Sequence, residues 1–149
     1  MTPAKFEAYQ RLALSTVYAE GDSGYHRSLI PRQVQRWFVP LGLPTSSVIL
    51  DVGCGPGLFL TDIRARGFGS AVGVTLSPED AQACRAAGHG VIESDFSDIA
   101  LPSRQIDFIW CRHALEHSPY PLFTLFEYNR LLRLAQSVPA ETMDTVPAD

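Results

Sequence analysis

Two short stretches carry the residue types that do chemistry. In Asp51-Val-Gly-Cys-Gly-Pro-Gly57, a carboxylate stands two positions ahead of glycines at 53, 55 and 57. Glycines at that spacing let the backbone turn sharply and lie against a ligand with no Cβ in the way. A helical pattern resumes at Leu58, so the free N–H groups of its first turn point back at the same spot. In the second stretch, His113-Ala-Leu-Glu-His117, two imidazoles and a carboxylate fall within five positions. Imidazole titrates near neutrality, so His113 or His117 suits proton transfer with Glu116 beside it. A structural role, in which Glu116 and His117 cap and orient a loop, is equally open. The same residues match the inverted zinc-hydrolase pattern, but Pro119 leaves barely one helical turn, and no metal is expected.

These stretches need elements to hold them. Val48–Leu50 is a short apolar run that reads as a strand buried on both faces, closed by Asp51. Leu58–Arg66 reads as a helix stopped by Gly67. Ala71–Thr75 is a second strand, and Ser77 caps a helix with Pro78 at its first position and Glu79 and Asp80 in its first turn. Val91–Glu93 and Ile106–Trp110 are further strands, and Pro121–Arg133 a strongly apolar helix. Strands alternating with helices imply parallel strands joined by right-handed crossovers, with the ligand at their carboxyl ends. Upstream, residues 3–18 carry a helical stripe of Phe6, Tyr9, Leu12, Ala13 and Val17. Residues 20–24 read as a flexible loop, and Pro31 opens a second helix with Val34, Trp37 and Phe38 on one side.

The 149 residues hold one domain, 46% apolar, with no run near the roughly 18 apolar residues of a membrane span. No apolar signal core opens the chain, so a cytoplasmic protein is expected. Three dispersed cysteines, Cys54, Cys84 and Cys111, suit reduced thiols. A net charge of −4 argues against general nucleic-acid binding. A single lysine among the twelve basic residues hints at a GC-rich bacterial source.

Glycine loops after a first strand serve two ligand classes. Dinucleotide enzymes use G-x-G-x-x-G, and here the completing position is Leu58. Asp51 repels a pyrophosphate but suits a cationic ligand such as a sulfonium carrying an ammonium group. The chain resembles the class I S-adenosylmethionine-dependent methyltransferases of the type 11 set. The resemblance covers residues 47–133 and rests on Asp51–Gly57, Gly73-Val-Thr-Leu-Ser-Pro78, Asp95-Phe96 and Cys111–His117.

The resemblance implies a Rossmann-like three-layer α/β sandwich and a cofactor site in three pieces. Asp51 with the backbone of Gly53, Cys54, Gly55 and Gly57 holds the methionine part. Asp95 accepts from the adenine amino group with Phe96 beside the ring, and the backbone at Cys111 and Arg112 lines the donor sulfur. Most of the family ends the second strand with an acid that grips the ribose. Here Thr75 and Leu76 stand there, and Asp80 is either the substitute ligand or a solvated first-turn acid. The family follows the last helix with Pro-Gly-Gly and three more strands, and residues 134–149 show neither. The expectation is therefore a C-terminally truncated methyltransferase domain over 1–133 (helical cover 1–46, Rossmann-like part 47–133) with an irregular tail. Its sheet holds four strands in the order 3-2-1-4, with an exposed strand 4 edge suited to a homodimer. The acceptor is unspecified. Non-catalytic binding and NAD(P)-dependent oxidoreductase or epimerase activity are the alternatives. Tyr9, Tyr18, Tyr25 and His26 are candidate acceptor contacts. Tyr120, Phe123, Phe126 and Tyr128 either line the acceptor pocket or pack the core, and Asp107 is structural.

Overall fold

The computed structural model describes residues 24–133 and positions 2, 4, 5, 7, 8, 11 and 12. Helix α1 (Gly24–Gln33) runs into a π turn (Val34–Phe38) and a 3-10 turn (Val39–Leu41). Then follow β1 (Ile49–Val52), α2 (Leu58–Ala65), β2 (Ala71–Thr75), α3 (Pro78–Ala86), β3 (Gly90–Glu93), β4 (Phe108–Cys111) and α4 (Pro121–Leu131). The four strands form one parallel sheet in the order β3-β2-β1-β4, as expected.

Side chains alternate across this sheet and build a core on each face. Ile49, Phe108 and Trp110 join Val34, Phe38, Phe59, Leu60 and Ile63 on one side. Leu50, Val52, Val74 and Ile109 join Ile99, Ile106, Tyr128 and Leu131 on the other. Phe38 is the hub of the first core, meeting Phe59, Phe68 and Phe108 edge-on at centroid distances of 5.6, 5.1 and 5.5 Å. Burying one such ring contributes about 2–3 kcal/mol.

Local signals placed most boundaries well. Ser77 caps α3 by accepting from the Asp80 N–H at 3.2 Å, with Pro78 at the first helical position. Asp107 is structural, accepting from the Val48 N–H and from Arg133. Other expectations need correction. Asp51 lies inside β1, which continues to Val52. Pro31 does not open a helix but sits within α1, and a π turn follows it. The π turn keeps Val34 and Phe38 buried and turns Trp37 out, 60% exposed. On α4, Tyr128 is buried, whereas Phe123 and Phe126 are exposed and pack no core. After α4, Leu132 pairs in parallel with Ile106, so the chain returns to the sheet beside the start of β4. The upstream stripe except Leu12, the 20–23 part of the loop, Tyr9, Tyr18 and the 134–149 tail lie outside the described residues.

Helix α4 is latched to the loop before β4 by a buried carboxylate. Glu127 Oε1 accepts from the Ile99 N–H at 2.9 Å, and both its oxygens accept from Arg130 at 2.7 Å. Arg130 in turn donates to the carbonyls of Ile99 and Leu101. The Arg130 guanidinium, aided by the Ile99 N–H, holds the Glu127 carboxyl below its ordinary range. Because the folded value is depressed, this stabilisation is complete above the unfolded value near 4.5 and is lost as pH falls through the folded one. Glu127→Gln should therefore cost about 1–2 kcal/mol in urea denaturation at pH 7 and much less at pH 3.

Candidate functional site

The carboxyl ends of β1, β2 and β4 meet at the glycine loop. Gly53, Gly55 and Gly57 have φ of +73°, +50° and +83°. The N–H groups of Gly53 and Cys54 both donate to the Val74 carbonyl, at 2.9 and 3.1 Å, which ties the loop to the end of β2. A Cβ on Gly53 would stand 2.5 Å from the Ala114 Cβ, so the loop lies against the segment leaving β4. Gly73, which the sequence marks only as the start of a motif, is also a site-building residue. A Cβ there would meet the Cys54 Sγ at 2.6 Å, and the signal was a glycine in mid-strand. Cys54 is thus a filler between loop and sheet. Hydrogen bonding with Cys84, burial and the nearby Asp51 charge push its thiol far above the ordinary range, so it is no nucleophile.

Asp51 is 3% exposed and lies between Gly73 on β2 and Trp110 on β4 in the strand register. It lines a narrow cavity of about 30 Å³ with His26, Ile30, Gly53, Phe59 and Arg112. That volume holds a few waters, not a whole cofactor. Helix α1 thereby brings His26 to the site, while Tyr25 faces solvent at 68% exposure. The fit to a cationic amino-acid group rests on this buried carboxylate and on a cradle that a Gly53 side chain would fill.

At the end of β2, Thr75 is buried and its Oγ1 accepts from the Ser77 N–H at 3.2 Å. Its hydroxyl therefore shapes the turn into α3. Asp80 is 6% exposed, which overturns the reading of it as a solvated acid. Leu76 is half-buried beside them. Past β3, Asp95 Oδ1 accepts from both the N–H and the hydroxyl of Ser97, and Phe96 packs partly against the second core.

Cys111 is the last residue of β4, which runs one residue beyond the expected Trp110, and Arg112 follows it; both are half-buried, and the Cys111 thiol lies 3.4 Å from the Tyr128 hydroxyl. Burial of Cys111 pushes that thiol up, and burial of Tyr128 does the same to its phenol. His113 has φ +51°, a strained value for a non-glycine residue. Its Nδ1 lies 3.3 Å from Glu116 Oε1, and both side chains are more than half exposed. The Glu116 carboxyl is held low by its own backbone N–H and then by His113. His117 is exposed at the end of a 3-10 turn, Leu115–His117. A three-residue turn gives no helical face for two histidines.

These features define an α/β domain of Rossmann-like type with a ligand cleft over the first glycine loop. The chain belongs to the methyltransferase domain family, whose profile matches residues 50–135. It is 26% identical over 144 residues to the ubiquinone biosynthesis O-methyltransferase of Histophilus somni, covering 89% of this chain and 60% of that protein. A SAM-dependent methyltransferase from Archaeoglobus fulgidus superposes with a TM-score of 0.62 at 26% identity, over 72% of this chain and 48% of that one. The [4+2]-cyclase SpnF shares the fold at a TM-score of 0.61 and 22% identity, over 78% and 46% of the two chains. The chain thus spans about half to three-fifths of the length of these relatives. The cyclase illustrates that this fold hosts more than one chemistry. Among the described residues, no helix is long and apolar enough to cross a membrane.

Gly53→Ala adds strain at positive φ to the clash with Ala114. It should lower stability by about 2 kcal/mol or more in chemical denaturation, while Gly24→Ala, with open space around it, should not.

Proposed function

We propose that the chain binds S-adenosylmethionine in the cleft over the glycine loop and transfers its methyl group to an acceptor beside β4. When bound, S-adenosylmethionine supplies an electrophilic methyl group on a sulfonium. The observation that carries this reading is the buried Asp51 carboxylate on the inner strand β1, next to a loop whose Gly53 admits no side chain.

In this reading Asp51 holds the ammonium end, and the backbone at Gly53, Cys54, Gly55 and Gly57 lies along the amino-acid part. Asp80 and Leu76 serve the ribose, with Thr75 setting their turn. Asp95 takes the adenine amino group on the carboxylate oxygen not used by Ser97, and Phe96 flanks the ring. The backbone of Cys111 and Arg112 lines the sulfur. The main contribution of such a site is in-line positioning of two reactants. His113, oriented by Glu116, accepts the proton an acceptor hydroxyl or amine loses. His117 is assigned no step. The family match and the neighbours favour neither of the other two readings.

Calorimetry with S-adenosylhomocysteine tests the assignment. Wild-type protein should bind it, and Asp51→Asn should weaken binding by about tenfold or more, as expected for a lost charge-assisted hydrogen bond. Wild-type protein with no affinity would remove the reading, and an unaffected Asp51→Asn would remove the role of Asp51.

Self-association belongs to the same proposal. Among the described residues, no strand lies on the outer side of β4, where Leu132 pairs only with Ile106, and Leu122, Phe123, Leu125 and Phe126 form an exposed apolar face on α4. Light scattering should report a dimer, and a monomer would exclude it.

A further inference from the structure

A second cavity, of about 390 Å³, opens at the carboxyl end of β4 on the α1 side. Gln33, Trp37, Trp110, Cys111, Arg112 and His113 line it. Trp110 and Arg112 also line the narrow cavity over Asp51, so the two spaces share a wall. Three observations say what this space takes. First, it is lined by one permanent cation and no carboxylate. Second, Arg112 Nε and Gln33 Oε1 are buried polar atoms with no hydrogen-bond partner among the described residues. A buried donor and acceptor left unmade are costly, and a ligand offering the complementary groups recovers that cost. Third, two indoles face it. Trp110 is fixed by stacking on Phe59 at 4.6 Å, and Trp37 is held by the Arg36 guanidinium 5.0 Å from its ring centre.

We propose that this cavity is the acceptor site and that it selects a planar aromatic anion, held by the Arg112 fork with its ring against Trp110 and Trp37. A guanidinium pairs with a carboxylate through two parallel N–H donors, a geometry that a neutral amide does not match. The Gln33 side-chain amide reads a polar substituent on the same ring. The role as acceptor site rests on the methyl-transfer reading above, whereas the preference for an aromatic anion stands on the cavity itself.

The chain has only two tryptophans, Trp37 and Trp110, and both line this space, so intrinsic fluorescence reports its occupancy directly. The probes are 4-hydroxybenzoate, its uncharged counterpart 4-hydroxybenzamide, and the non-aromatic cyclohexanecarboxylate. Each is titrated into wild-type protein with and without S-adenosylhomocysteine. The benzoate should quench with a Kd about tenfold or more below that of the amide, the difference between a charge-assisted and a neutral contact. Arg112→Gln should erase that preference, and Arg112→Lys should restore only part of it. Equal affinity of benzoate and benzamide for wild-type protein overturns the proposal without any variant. So does cyclohexanecarboxylate binding as well as the benzoate, or an Arg112→Gln protein that keeps the preference. Absence of S-adenosylhomocysteine binding, with the benzoate preference intact, would sink the methyl-transfer reading and leave the anion site standing.

Discussion

A carboxylate buried in the middle of a parallel sheet is the constraint from which the rest of this site follows. Asp51 sits on β1, an inner strand with neighbours on both sides whose four residues are all buried. Removing a charge from water is costly unless a cation or hydrogen-bond donors compensate. A strand otherwise made of Ile49, Leu50 and Val52 has no packing use for such a group. Its position explains the geometry around it. The chain must turn at once after Val52, and the turn must leave room beside the carboxylate. Only glycines at positive φ, tied to the Val74 carbonyl, achieve both.

The packing around the loop is equally specific. Ala114 closes on Gly53, Cys54 fills the space over Gly73, and Cys84 and His89 close on Gly57. Each contact joins the loop to a different neighbour: the exit of β4, the strand β2, and the helix α3 with the turn after it. A loop held on three sides, with the Gly53, Cys54 and Gly57 N–H groups bonded within the fold, keeps its shape before a ligand arrives. Such preorganisation spares ordering cost on binding.

The two cavities differ in charge and size. The narrow one over Asp51 holds a carboxylate beside the Arg112 guanidinium, and the roomy one at the end of β4 holds Arg112 with no carboxylate. Arg112 belongs to both, since β4 ends between them. Trp110 separates them as a wall whose inner face is stacked on Phe59. Only the narrow space offers a carboxylate, which favours a cationic group there and an anionic one in the roomier space.

What the sequence determined by itself was local. The spacing of Asp51 and the glycines, the β2 limits, the Ser77 cap and the strand–helix rhythm depend on neighbours within a few positions. The four-motif resemblance added the strand order. Tertiary structure decided everything that depends on which side chain meets which across the chain. It carried α1 through Pro31 and brought His26 and Trp37 to opposite parts of the cleft. It used the Thr75 hydroxyl inside a turn, buried Asp80, and left Phe123 and Phe126 outside the core. It also returned Leu132 to the sheet beside Ile106. Periodicity marks a helix as apolar on one face, but the docking of that face depends on surfaces distant in the chain. A π turn rotates the residues after it in a way no i, i+4 count registers. The chemistry of the cofactor loop was therefore readable residue by residue, whereas the acceptor side existed only once the elements had packed.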